Sequence, residues 1–171
     1  MQYLSSDIKT TDYLTEVSKC RKQYNGFNIL LSDDCFDTFY HYSNINDEYI
    51  KIKEGIHGLS NHLLDTPWPK VILGKKVLSQ LLETGSLDKN SVFQMLRNGE
   101  EANENMLPDT GISSDLEKKL SPVFISIKGY GTRCSTLILL DYNNNLSFFE
   151  VTYNGKKQIT GEKSYHLKLK Y

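Results

Sequence analysis

The order of the hydrophobic patterns is what most constrains this chain: short alternating runs, bounded by turn signals, lie on both sides of two helical patterns. Alternation with period two puts successive side chains on opposite faces of a sheet, so burying one face fixes the register. Toward the C-terminal end, Val123 to Ile127, Cys134 to Tyr142, Leu146 to Tyr153 and Tyr165 to Lys170 read as strands. Asn143 to Asn145 and Asn154-Gly155 supply residue types that accept the positive φ of hairpin turns. Earlier in the chain, Phe27 to Ser32 and Phe36 to Ser43 are joined at Asp33-Asp34, and Tyr49 to Lys53 makes a third strand. Strands, then helices, then strands predict an α+β layered arrangement of mainly antiparallel hairpins, with residues 1–171 as one domain. Folded alone, it would leave open sheet edges or an uncovered apolar face.

The helices have clear signals. Tyr13, Leu14, Val17 and Cys20 or Arg21 share one face of a first helix, which packs Cys20 and is expected to end at Asn25-Gly26. Gly55 to Asn61 reads as a short strand entering a stiff loop, because Pro67 and Pro69 push Thr66 and Trp68 toward extended backbone. Pro69 suits the first turn of a helix whose apolar face is Val71, Val77, Leu78, Leu81 and Leu82, closed by Gly85. Another helix starts near Asp88, burying Val92, Phe93 and Leu96, and ends at Gly99. Residues 100–113 are acidic, lack periodicity and contain Pro108 and Gly111, as an exposed connector does. Ser114 and Glu117 read as a capping box for a short helix ended by Pro122.

Charge and cysteine usage exclude several functions. With 20 basic and 21 acidic side chains and no basic run, the chain lacks the electrostatic footprint of nucleic-acid binding. The longest aliphatic run, Leu137 to Leu140, is too short to cross a bilayer, and Met1 to Thr10 has no apolar core of a secretory signal. Cys20, Cys35 and Cys134 show neither CxxC nor Cys/His ligand spacing, which argues against a zinc site or disulfide framework and for a reducing, cytoplasmic compartment. Asp33, Asp34 and Asp37 could suggest a cation, but a hairpin turn explains them and the EF-hand spacing is missing. Gly129 and Gly131 lie between strands rather than before a helix, a weak phosphate-cradle signal.

The run His57-Gly58-Leu59-Ser60-Asn61-His62-Leu63-Leu64-Asp65-Thr66-Pro67-Trp68-Pro69-Lys70-Val71 resembles the most recognisable block of the transport and Golgi organisation 2, or NRDE, family. Tyr24-Asn25-Gly26-Phe27-Asn28 before it, Tyr130-Gly131-Thr132-Arg133-Cys134-Ser135-Thr136 after it and Phe148-Phe149-Glu150 near the end follow in the family's order. The resemblance implies an N-terminal-nucleophile-hydrolase-like αββα sandwich, here incomplete at its N-terminal end. In that wider group a terminal cysteine attacks an amide with its own α-amino group as base. Family members typically begin Met-Cys followed by Asn-Arg-Asp-Glu; this sequence has Gln2 and no such tetrapeptide. The expectation is therefore a polypeptide without amidohydrolase activity. The alternative is a fragment of a longer cysteine N-terminal-nucleophile amidohydrolase acting on a C–N amide bond. By the same resemblance the implied roles are Golgi organisation, protein secretion and handling of haem or another hydrophobic ligand, in the cytoplasm with Golgi or mitochondrial association.

Five residues become site candidates through that resemblance. Asn61 corresponds to the asparagine that related amidohydrolases aim at a developing oxyanion, and otherwise reads as a loop residue bonding backbone. Arg133 resembles the arginine lining the same pocket, with a structural ion pair as the competing role. His57 and His62 are candidate axial ligands for haem iron, against ordinary hydrogen-bonded histidines. Trp68, between Pro67 and Pro69, is either a flat platform for a porphyrin or lipid or a plug that packs the loop onto the core.

Overall fold

Leu14, fully buried in helix α1 (Thr10–Lys19), and Tyr42, 1% exposed in strand β2, anchor the N-terminal part of the protein. The computed structural model describes residues 3–33 and 36–170, which form two compact units divided between Thr66 and Pro67. In the first, β1 (Asn28–Ser32), β2 (Phe39–Ser43) and β3 (Glu48–Lys51) make an antiparallel sheet in the order β1-β2-β3. Asn28 lies opposite Ser43, and Tyr40 opposite Lys51. Asp47, at φ 55° in the β2–β3 turn, accepts from Ser18 Oγ at 2.6 Å and Tyr42 hydroxyl at 3.0 Å, and meets Arg21 Nε at 3.0 Å. One carboxylate thus ties the helix end to the sheet. The Ser18 bond is the main reason its pKa is held below the usual range.

The second unit contains α2 (Pro69–Glu83), α3 (Lys89–Leu96) and α4 (Ser114–Leu120). A two-stranded hairpin follows, β4 (Ser126–Ile127) with β5 (Tyr130–Gly131), then an antiparallel sheet β6-β7-β8 of Cys134–Leu140, Asn145–Tyr153 and Ile159–Lys168. Pro69 occupies the first turn of α2, and Gly85, at φ 65°, follows its end. Asp88 caps α3 in a reciprocal box with Ser91. Phe93, Phe124, Val151 and Tyr153 form the buried core, with Leu96, Leu137 and Phe149 around it. Phe124 and Tyr153 meet edge to face at 4.9 Å, the geometry the ring quadrupoles favour. On the other side of the sheet Ile138, Tyr165 and Leu167 are each more than half exposed, an uncovered apolar face of the expected kind.

Several local expectations require correction. Helix α1 stops at Lys19 and gives way to a 3-10 turn at Arg21–Gln23; neither Asn25 nor Gly26 is left-handed, and Cys20 is exposed rather than packed. Residues 55–61 form no strand, because Gly58 bonds with Asp65 of its own loop and has no ladder partner. Helix α3 ends at Leu96, three residues before Gly99. The cap of α4 is Ser113, whose side chain accepts from Leu116 N, while Glu117 turns inward to accept from Thr110 N at 3.0 Å. Strand β8 begins at Ile159, well before Tyr165, and all ten of its residues are exposed, so its polar half gave no alternation. In the β7–β8 turn the left-handed residue is Lys157, at φ 63°, not Gly155. Asp34 and Cys35 lie outside the described residues; Asp33 accepts from Phe36 N and Thr38 N, as a turn residue does.

Candidate functional site

Three of the five candidate residues, His57, Asn61 and His62, fall on an irregular loop, residues 55–66, whose shape comes from its own polar groups. Asp65 adopts φ 59°, a conformation that aspartate tolerates better than most residues. Its N–H donates to Gly58 O at 2.7 Å, and its Oδ1 accepts from Gly58 N at 2.9 Å. Its Oδ2 lies 2.6 Å from His57 Nδ1, while His57 Nε2 lies 2.9 Å from Lys53 O. Both partners are acceptors, so the ring donates to both only when each nitrogen carries a proton. Downstream, His62 Nδ1 bonds Thr66 Oγ1 at 2.8 Å, and Thr66 N donates to Leu63 O at 3.2 Å.

The loop is fastened to the first sheet through Asn28. Its Nδ2 donates to His62 O at 3.0 Å, and its Oδ1 accepts from His41 Nε2 at 2.9 Å. His41 is only 4% exposed, and burial pushes its pKa down. An amide with both ends engaged therefore links a buried histidine of β2 to the backbone of the loop. This arrangement walls a groove of about 420 Å³, lined by Phe27, Asn28, Ile45, Asn61, His62 and Leu63 among others. The mixture of apolar walls and convergent amides suits a small organic ligand.

Of the five candidates, Asn61 and His62 line this groove together. His57 belongs to the same loop, but both its nitrogens are engaged, so binding iron through either means giving up a bond. Trp68 and Arg133 belong to the second unit. Trp68 is half-buried at the N-cap of α2, its carbonyl accepting from Val71 N and Ile72 N. Arg133 is exposed just before β6; its carbonyl accepts from Tyr153 N at 2.7 Å, and its guanidinium has no carboxylate partner among the described residues. Gly129 and Gly131 serve the β4–β5 hairpin: Gly129 has φ 80°, and a Cβ on Gly131 would sit 2.8 Å from Ile125 O. Among the described residues no group of three or more His, Cys, Asp or Glu could hold a metal, and no helix is long and apolar enough to cross a membrane.

Sequence reasoning missed Asn28, His41 and Asp65 as the residues that build the loop. Asp65 had a local signal, an Asp in a Leu-Asp-Thr-Pro turn. The Asn28–His41 contact depends on strand pairing and has none.

The fold defines an α+β protein built on small antiparallel sheets, with a polar-stitched loop beside a groove. Sequence comparison gives its family. The model of the family described as Transport and Golgi organisation 2 matches residues 1–155, and the chain belongs to that family. Similar relatives include the Transport and Golgi organization protein 2 homolog of Bos taurus, 31% identical over 177 residues, covering 96% of this chain and 64% of the relative. The Mus musculus and Homo sapiens homologs are 34% and 32% identical over 160 residues, covering 86% of this chain and 58% of each relative. The chain thus spans about three fifths of the length of the curated relatives it matches.

Proposed function

We propose that this protein is a non-catalytic family member that takes part in Golgi organisation and secretion by holding haem or a comparable hydrophobic ligand in the Asn61–His62 groove. The observation that carries this reading is the groove itself, where Phe27, Ile45 and Leu63 supply apolar wall beside the His62 side chain. Family membership and the relatives' printed names support the Golgi part. The αββα sandwich, the single-domain organisation and the cytoplasmic setting with Golgi or mitochondrial contact belong to the same proposal, resting on the resemblance of the sequence blocks.

Titration with hemin tests it. The Soret band shifts saturably in the wild type and in His57→Ala, and the shift is lost in His62→Ala. An unshifted band, or a shift that survives His62→Ala, counts against the groove as the haem site.

A second reading makes the chain part of a longer cysteine N-terminal-nucleophile amidohydrolase, with Asn61 as an oxyanion donor and Arg133 as a pocket residue. Its support is the share of the relatives' length that the chain spans, together with the exposed position of Asn61 in the groove. Intact mass and N-terminal sequencing of protein from its native source decide between the two. A mature chain starting with Cys favours the hydrolase, and one starting at Met1 or Gln2 removes it.

A further inference from the structure

A second cavity, of about 440 Å³, lies in the second unit between helix α3 and strands β7 and β8. One wall is apolar, from Phe93, Val151 and Ile159. The other carries two cations held against aromatic faces: Lys89 Nζ lies 5.2 Å from the Phe149 ring centroid, and the Arg97 guanidinium 5.7 Å from that of Tyr153. Only one lining carboxylate, Glu162, opposes them, and it reaches Lys89 at 3.5 Å. Arg97 has no carboxylate partner among the described residues. The cavity therefore keeps one positive charge in excess, on a guanidinium whose planar donor fork matches a carboxylate.

An independent observation points to the same place. Tyr153 lines this cavity, is 5% exposed, and its hydroxyl is buried without a hydrogen-bond partner. A buried hydroxyl left unpaired costs stability, so natural cores seldom keep one without a use. Phenylalanine would fill the same space beside Phe124 without that cost.

We propose that this cavity binds a small organic carboxylate. The carboxylate pairs with Arg97 and takes the Tyr153 hydroxyl as a further donor, and its hydrocarbon part lies against Phe93, Val151 and Ile159. Asn90 and Gln94, on the same rim, supply amides that fix orientation rather than charge. This site is separate from the Asn61–His62 groove and does not depend on the haem reading.

The test uses 4-phenylbutyrate and its neutral counterpart 4-phenylbutanamide, followed by ¹H–¹⁵N NMR on the full chain. The carboxylate produces saturable shifts at Asn90, Arg97 and Tyr153, and the amide binds at least about tenfold more weakly, as loss of a charge-assisted pair requires. Arg97→Gln weakens the carboxylate by a similar factor, and Arg97→Lys restores part of it. Tyr153→Phe weakens binding about threefold or more without lowering the unfolding midpoint. Three results overturn the proposal: no saturable shift, equal binding of acid and amide, or an Arg97→Gln protein that binds like the wild type. If Tyr153→Phe raises stability and leaves affinity unchanged, the hydroxyl has no part in the site and the proposal fails in that form.

Discussion

Asp65 holds the loop beside the groove by two separable means, and replacing it by alanine and by asparagine separates them. Alanine removes the acceptor for Gly58 N, at 2.9 Å, and the contact with His57, at 2.6 Å, and it occupies the left-handed region at φ 59° with no local bond in return. A backbone N–H bonded to a partly buried carboxylate contributes about 1.5 kcal/mol. The His57 and Asp65 side chains are 28% and 32% exposed, so solvent screening limits their pairing to about 0.5–1 kcal/mol. The left-handed conformation adds about 1 kcal/mol against alanine. Asp65→Ala should therefore destabilise the first unit by about 3 kcal/mol. Asparagine keeps the Gly58 bond and tolerates the backbone, so Asp65→Asn should cost about 1 kcal/mol. Urea denaturation measures the global effect. Hydrogen exchange at Gly58 and Asp65 reports whether the loss is local. If alanine and asparagine match within about 0.5 kcal/mol, or if exchange at those amides is unchanged, the side chain does not shape the loop.

Ser113→Ala should cost about 1 kcal/mol through loss of the α4 cap, whereas Ser114→Ala should be nearly neutral; thermal melts of the two variants check it. His41 carries a pH prediction whose sign follows from its lowered pKa. The unfolded chain takes up the proton first as pH falls below about 6.5. The stability conferred by the neutral ring is thus complete above that value and declines as pH drops toward the folded pKa. Denaturation curves between pH 5 and 8 should show this slope in the wild type and a shallower one in His41→Gln; equal slopes would assign it to other groups.

Much of the fold was legible because it depends on local chemistry. Pro69 at the start of α2, Gly85 past its end, Asp88 before α3 and the Asn143–Asn145 turn each solve a problem within a few residues. Hairpins such as β6–β7 follow for the same reason, since alternation and turn chemistry lie side by side in the chain. The errors arose where a distant group outweighed the local preference. Glu117 was spaced for a capping box and instead bonds Thr110, and Gly55 to Asn61 had strand-like composition, but Gly58 bonds Asp65 within its own loop instead of a sheet edge.

The candidate site divides along the same line. Sequence by itself determined the family blocks, the α+β class and the residue types offered at Asn61, His62 and Asp65. Only the tertiary structure decided that His57 spends both nitrogens on Asp65 and Lys53, that Asn28 carries the loop to the buried His41, and that Arg97 stacks over Tyr153, whose buried hydroxyl has no hydrogen-bond partner. Propensity and pattern act over one or two turns of chain. Hydrogen bonds, burial and charge balance depend on groups that come together only after the sheets have paired and the core has closed.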